Sequence, residues 1–415
     1  MSLLDIAAIL LGFAAFIGYL NLRLFRLPST VGLMLGALVF SLGLLLLGRL
    51  GLHFEEEARA LLSQVDFTDT VLHGLLSFLL FAGALHIDLN DLRRHQWVIL
   101  TLATVGVVLS MLMVGFGSWY LFSWMGFDLP LIWCLLFGAL IAPTDPIAVL
   151  GILKSAGAPR ALEIKIAGES LFNDGVAVVL FLALLGLLEG QTELTPASLG
   201  ILFLQEAVGG VLFGLLIGYG AYLLLRTVDD YAVEITITLA LVTGGYALAE
   251  HWHLSAPITV VVAGLLVGNH GRRLAMSERT VEHLDTFWEL LDELLNAVLF
   301  VLIGLELLVL QLQWSVILAG MLVIPLVLIA RMISVGLPIG LFRLRKRFEP
   351  GSVVILTWGG LRGGISIALA LALPAGLERE FLLTVTYVVV VFSILVQGLT
   401  IGPLVRGVVG GVGRA

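Results

Sequence analysis

Charge is scarce in this sequence: Asp, Glu, Lys and Arg make up 13% of its 415 residues, against 60% for the hydrophobic types. So little charge cannot clothe a water-facing globule of this size, and the chain reads as embedded in a membrane throughout. Cysteine is nearly absent too. Cys134 stands alone, which excludes an intramolecular disulfide framework and a multi-cysteine metal site and leaves the redox compartment undetermined. The short alternating strands of a transmembrane β-barrel are missing, and neither a P-loop nor a soluble nucleotide domain is there to drive a pump. The first residues carry Asp5 where a secretion signal carries basic residues, with no clear cleavage pattern after the apolar stretch, so residues 3 to 22 read as a retained span.

What the sequence has in quantity is long apolar stretches. About 20 apolar residues in a helix cross a hydrocarbon core about 30 Å thick. Thirteen stretches answer to that description: residues 3–22, 28–47, 68–87, 96–122, 130–152, 160–187, 197–225, 232–250, 255–269, 287–310, 313–341, 351–374 and 380–404. The expected architecture is therefore an all-α polytopic membrane protein of about thirteen transmembrane helices, a single domain over residues 1–415 with no soluble C-terminal domain. The longest polar interval after the ninth stretch, residues 270–286, reads as a hinge. Of the 22 basic residues, seventeen fall in one alternating set of loops and three in the other. The positive-inside rule then places the N-terminus outside and the C-terminus in the cytoplasm. The remaining two, Arg331 and Arg362, fall inside spans.

A faint internal repeat organises these spans. Stretch two opens Pro28-Ser-Thr-Val31 and continues Gly36-Ala-Leu-Val39; stretch nine opens Pro257-Ile-Thr-Val260 and continues Gly264-Leu-Leu-Val267. Seven spans separate them, an odd number, so the two copies run in opposite directions. That is the inverted-repeat plan common among secondary transporters, here about residues 1–190 against 230–405 with a linker helix at about 197–225. The plan pairs stretch five with stretch twelve, and these carry the strongest helix breakers joined to charge: Ala142-Pro143-Thr144-Asp145-Pro146 and Gly359-Gly360-Leu361-Arg362-Gly363-Gly364. Proline removes a backbone donor and glycine loosens the helix, so both stretches are predicted to break mid-membrane and free polar backbone groups for an ion. A negative side chain on one break and a positive one on the other can offset the partial charges of the half-helix ends that meet there.

Stretch six reads Gly168-Glu-Ser-Leu-Phe-Asn-Asp-Gly175, which puts Asn173 and Asp174 near the centre of a helix over 160–187. A carboxylate at that depth must be paired, hydrated or protonated, and it marks an ion or proton site. Ser170 shares the Asp174 face, and Glu169 shares the Asn173 face. Glu169 and Asp174 stand about 7.5 Å apart along the axis and roughly 140° around it, too divergent for a carboxylate dyad. Glu169 is therefore placed to hold a basic partner behind the site, with Arg331 and Arg362 available. Three buried acids, Asp145, Glu169 and Asp174, against two arginines leave a net −1. One Na⁺ or one H⁺ neutralises it, and only a neutral site crosses the low-dielectric barrier readily. This count predicts electroneutral one-for-one exchange, with cation and proton competing for Asp174, whose burial favours the neutral form. Oxygen ligands from Asp174, Asp145, Ser170, Thr144 and freed carbonyls suit a small alkali metal ion such as Na⁺, and Asn173 supplies an orienting amide without a second charge. No cofactor is expected, nor any nucleic acid or nucleotide partner. Glu289, Asp292 and Glu293 read as an ordinary acidic helix start, Glu55–Glu57 as a solvated run, and His86, Asp88 and Glu306 as interfacial.

Several strings together resemble the sodium/proton exchanger branch of the monovalent cation/proton antiporters: Leu27-Pro-Ser-Thr-Val-Gly-Leu33, Phe81-Ala-Gly-Ala-Leu-His-Ile-Asp88, Ala142-Pro-Thr-Asp-Pro146, Glu169-Ser-Leu-Phe-Asn-Asp-Gly175, Ala263-Gly-Leu-Leu-Val-Gly-Asn-His-Gly271, Ala330-Arg331 and Gly359-Gly-Leu-Arg-Gly363. The resemblance implies a thirteen-helix inverted-repeat fold, a homodimer with a moving core, alternating access, and a place in the plasma or inner membrane. It also implies that Asp174 and Asn173 bind the ion, that Thr144 and Asp145 lie at the first crossover, that Glu169 pairs with Arg331, and that Arg362 lies at the second crossover. The Asn-Asp pair resembles the electroneutral branch. Relatives differ between Na⁺ and K⁺, so K⁺/H⁺ exchange is the nearest alternative and Li⁺ a further candidate substrate. A sodium-coupled solute symporter is the more distant one, since no second polar or aromatic pocket is evident.

Overall fold

The computed structural model describes residues 3–50, 67–190, 204–310, 313–344, 348–349 and 351–412, and among these every regular element is helical. The helices are α1 (Leu3–Leu20), α2 (Ser29–Arg49), α3 (Phe67–Leu85), α4 (Leu89–Trp124), the broken pair α5a (Leu131–Leu140) and α5b (Ile147–Ser155), and α6 (Arg160–Leu188). They continue as α7 (Leu204–Leu225), α8 (Tyr231–His251), α9 (Ala256–Leu266), α10 (Glu278–Glu306), α11 (Trp314–Arg343), a second broken pair α12a (Ser352–Trp358) and α12b (Gly364–Leu371), and α13 (Leu377–Val408). Nine helices of the described residues are long and apolar enough to cross a membrane. The others are the two broken pairs, the short α9, and α10, whose first half is charged.

One sequence expectation is overturned. Residues 270–286 are not a hinge, because α10 begins at Glu278 and a short helical turn covers Arg272–Leu274. Ser277 caps the start of α10, its hydroxyl accepting from the Thr280 amide at 3.4 Å, and Glu278 favours the positive end of the helix. Hydropathy misses this segment because it is helical and polar, projecting beyond the apolar part of its own helix. The Glu55–Glu57 run and residues 197–203 of the seventh stretch lie outside the described residues.

Polar capping closes other helix ends. Asp88 caps α4 by accepting from the Asn90 amide at 2.7 Å, a bond that holds the Asp88 carboxyl below its usual range. Asn269 accepts from the Leu89 amide at 2.9 Å and donates to the Ile87 carbonyl at 2.9 Å, so it ties the end of α9 to the α3–α4 turn.

The helices pack as two groups. In one, α9 lies against α3, α7 and α8, while α10 packs on α2, α1, α3 and α8; in the other, α4 packs on α5a and α11, α6 on α5a and α4, and α13 on α11 and α12b. Large apolar side chains such as Leu22, Leu216, Trp314 and Leu341 point outward, as a lipid-facing surface requires. The groups touch where α6 meets α3 and α9, and where α12b meets α3 and α10. Asp145 and Asp174 line a cavity at that seam.

Candidate cation-binding site

Both predicted breaks are present. α5 stops at Leu140 and resumes at Ile147; α12 stops at Trp358 and resumes at Gly364. The backbone groups they free are answered locally. The Asp145 amide donates to the Leu361 carbonyl at 2.7 Å, which stitches one break to the other. A π-helical turn in α13, Ser393–Gln397, serves the second break: Ser393 Oγ accepts from the Arg362 amide at 2.8 Å, and Gln397 Nε2 donates to the Trp358 carbonyl at 3.0 Å.

The charges are matched to the half-helix ends. Asp145 sits just before the N-terminus of α5b, and a Cβ built on Gly363, at the start of α12b, would lie 2.6 Å from Asp145 Oδ2. Two positive helix ends therefore face one carboxylate. Arg362 does the reverse. Its guanidinium donates to the Ala142 carbonyl and, at 2.9 Å, to the Pro143 carbonyl, just past the negative end of α5a.

The structure places α6 beside the first break. Asn173 accepts from the Thr144 amide at 3.4 Å and donates to Thr144 Oγ1 at 2.8 Å, and Ser170 Oγ donates to the Thr144 carbonyl. Glu169 and Arg331 form a two-point pair, with the second contact, Arg331 Nη2 to Glu169 Oε2, at 3.0 Å; the same Nη2 reaches the Leu356 carbonyl at 3.3 Å. Of the two basic partners open to Glu169 from spacing alone, Arg331 holds it and Arg362 is used elsewhere. Thr144, Glu169, Ser170, Asn173, Asp174, Arg331 and Arg362 are all buried, and Asp145 is half-buried.

Asp174 differs from its neighbours. It is 2% exposed, and its Oδ1 has no hydrogen-bonding partner. It lines a cavity of about 60 Å³ together with Thr144 and Asp145, room for a few waters. Ser170 and Asn173 are not among the lining residues; they stand one layer behind, holding Thr144 in place.

Sequence reasoning passed over two residues on the cavity wall, Asn296 of α10 and Ser366 of α12b. A signal for the first exists: Asp285, Glu289, Asp292 and Asn296 recur at helical spacing on one face. For Ser366 none does, since a lone serine in an apolar helix is commonplace. The charge inventory also grows. Lys165 is buried in α6 and pairs with Glu349 at 2.7 Å, adding no net charge. Glu234 and Glu306, the latter read as interfacial, are buried away from the cavity.

A family profile described as the transmembrane sodium/hydrogen exchanger matches residues 12–407. The chain is 51% identical over 414 residues to the Na(+)/H(+) antiporter NhaP of Pseudomonas aeruginosa, covering 99% of this chain and 98% of that one. It is 39% identical to the Na(+)/H(+) antiporter NhaH of Halobacillus aidingensis, covering 92% and 93%. The fold is similar to that of the sodium proton antiporter MjNhaP1 of Methanocaldococcus jannaschii, with a TM-score of 0.77 at 20% identity, over 99% of this chain and all of that one. Two broken helices crossing beside a buried aspartate with one unpartnered oxygen, together with a profile match over nearly the whole length, place this chain in the sodium/hydrogen exchanger family.

Proposed function

We propose that the chain exchanges Na⁺ for H⁺ across a membrane, one for one and without net charge movement, with both substrates competing for Asp174. The observation that carries this reading is the Asp174 carboxylate, buried at the cavity wall with one oxygen unpartnered. An ionised carboxylate in that setting is costly unless a proton or a cation neutralises it, and either one does so. Thr144, Asp145 and Asp174 offer hard oxygens to an alkali cation, while Ser170 and Asn173 fix Thr144. The Glu169–Arg331 pair carries no net charge, and Arg362 offsets Asp145, so one negative charge is left for the substrate. A cavity of about 60 Å³ suits a partly hydrated ion and is too small for an organic solute, which speaks against symport. The names of the relatives agree with Na⁺ as the cation.

In this reading the protein lies in the cell membrane with its C-terminus in the cytoplasm and works as a homodimer. The two inverted repeats, about residues 1–190 and 230–405, build a group of helices (α4 to α6 and α11 to α13) that carries Asp174 past the other group, exposing it to each side in turn. The test is the purified chain in liposomes with a trapped pH dye. Pulses of Na⁺ or Li⁺ move protons, K⁺ does so far less, and clamping the membrane potential leaves the rate unchanged. A response to K⁺ alone reassigns the cation, and no response to any of the three overturns the proposal.

A further inference from the structure

Three buried polar atoms on the cavity wall have no hydrogen-bonding partner: Asp174 Oδ1, Asn296 Oδ1 and Ser366 Oγ. Asp174 and Ser366 belong to the helix group that contains both breaks. Asn296 comes from across the seam. The facing wall is made by α3 and α10, with Val71, Leu76, Leu79, Leu80 and Leu299 among its side chains, and Asn296 is its one polar side chain among the described residues. Asn296 is 4% exposed, and its Nδ2 donates to the Asp292 carbonyl at 2.8 Å. With the nitrogen committed to its own helix, the amide oxygen is left as an acceptor with nothing to accept from. A buried amide oxygen in that state calls for a donor or a cation.

One turn toward the start of α10, Asp292 carries a second buried oxygen with no hydrogen-bonding partner, its Oδ1. Glu289 and Asp285 extend the same helix face to the end of the apolar region, where Asp285 pairs with Arg272. What reads in the sequence as an ordinary acidic helix start is a line of oxygens that ends at the cavity.

We propose that Asn296 Oδ1 is a ligand for the transported alkali cation, supplied by the α3/α10 side of the cavity, with Asp292 receiving the cation one turn earlier on its way from the cytoplasm. An amide oxygen is a hard, neutral donor. It replaces one water of hydration without changing the charge that Asp174 shares between cation and proton. The inference rests on the exchange reading and orientation given above. Asn296 and Asp174 belong to different helix groups, so relative movement of the groups separates them, and Asn296 serves the cation only while the site faces the cytoplasm.

The test compares the full-length protein in everted and right-side-out membrane vesicles from a bacterial host lacking its own antiporters, with Na⁺ as the probe. Asn296→Ala and Asn296→Leu raise the KM for Na⁺ at the cytoplasmic face about fivefold or more, the effect of losing about one ligand's worth of binding. The KM at the outer face stays within about twofold. Asn296→Asp, which keeps an oxygen in place, restores a KM at or below that of the parent. An unchanged cytoplasmic KM overturns the inference. So does an equal rise at both faces with a lowered thermal midpoint, which marks a structural role. Should the Ala and Leu variants fail to fold, Asn296→Asp decides, since a raised cytoplasmic KM in that folded variant overturns the proposal. The underlying reading fails separately, if Asp174→Asn still exchanges Na⁺ for H⁺.

Discussion

Arg331 grips Glu169 with two nitrogens, one contact at 3.0 Å, in a pair buried one helical turn behind Asn173. This pair ties α6 to α11, and the Arg331 contact with the Leu356 carbonyl ties both to α12a. Removing one partner leaves the other charge buried with little to offset it, a loss of about 3–5 kcal/mol. Glu169→Gln is therefore expected to lower the thermal unfolding midpoint in detergent sharply. The double variant Glu169→Leu/Arg331→Met is expected to recover most of that loss, because no lone charge is left behind. A single variant as stable as the parent would show that the pair holds nothing together.

The approach of Gly363 to Asp145 gives a second prediction. A Cβ at residue 363 would stand 2.6 Å from Asp145 Oδ2 and 2.9 Å from its Cβ, so the aspartate side chain has to move. Gly363→Ala is expected to cut exchange by about tenfold or more, since small misplacements at a site carry large rate losses. Gly220→Ala, where an added Cβ meets nothing within 4 Å, leaves exchange unchanged and controls for the loss of glycine itself. Both are read in the liposome assay, and equal rates in the two variants would count against the geometry.

Asn173 carries the charge-count prediction. Its amide both accepts from and donates to Thr144, and an aspartate there keeps the geometry, because Thr144 Oγ1 can turn its own proton toward the carboxylate. Asn173→Asp then adds one negative charge and nothing else. Exchange should become sensitive to membrane potential, read by imposing inside-negative and inside-positive potentials on the same liposomes. Voltage-independence in this variant would show that the site's charge is set by groups other than Asp145, Glu169, Asp174, Arg331 and Arg362.

Much of this was legible in the sequence because charge in an apolar span has few explanations. Pro143, Pro146 and the glycines around Arg362 announced the breaks through the missing donor and the loosened backbone. Asp174 announced itself by depth alone. What spacing could not give was the choice between Arg331 and Arg362 for Glu169, since that depends on how α11 packs against α6, a contact between residues 162 positions apart. Ser170 shares a helix face with Asp174, and Asn173 with Glu169, yet both side chains are taken up by Thr144 and neither lines the cavity, which spacing along α6 does not reveal. Asn296 escaped because an amide in a long amphipathic helix reads as a water-facing side chain until the neighbouring helices are in place. The polar start of α10 escaped for the same reason that hydropathy found its other half.

Competition between proton and cation for one carboxylate sets the pH dependence. Each unit of acidification below the point where Asp174 is half-protonated should raise the apparent KM for Na⁺ about tenfold by mass action. The maximal rate at saturating Na⁺ stays level over the same range. Initial rates over a grid of Na⁺ and pH decide it, and a fall in maximal rate with unchanged KM would place the proton on a different group.

The most direct measurement is Asp174→Asn in proteoliposomes with an internal pH dye, beside a gel-filtration profile showing that the variant folds. The substitution keeps the shape of the side chain and removes the one negative charge that proton and cation share. The expected result is no Na⁺-dependent proton movement in either direction. Exchange at the parent rate would contradict the assignment of Asp174 as the shared carrier.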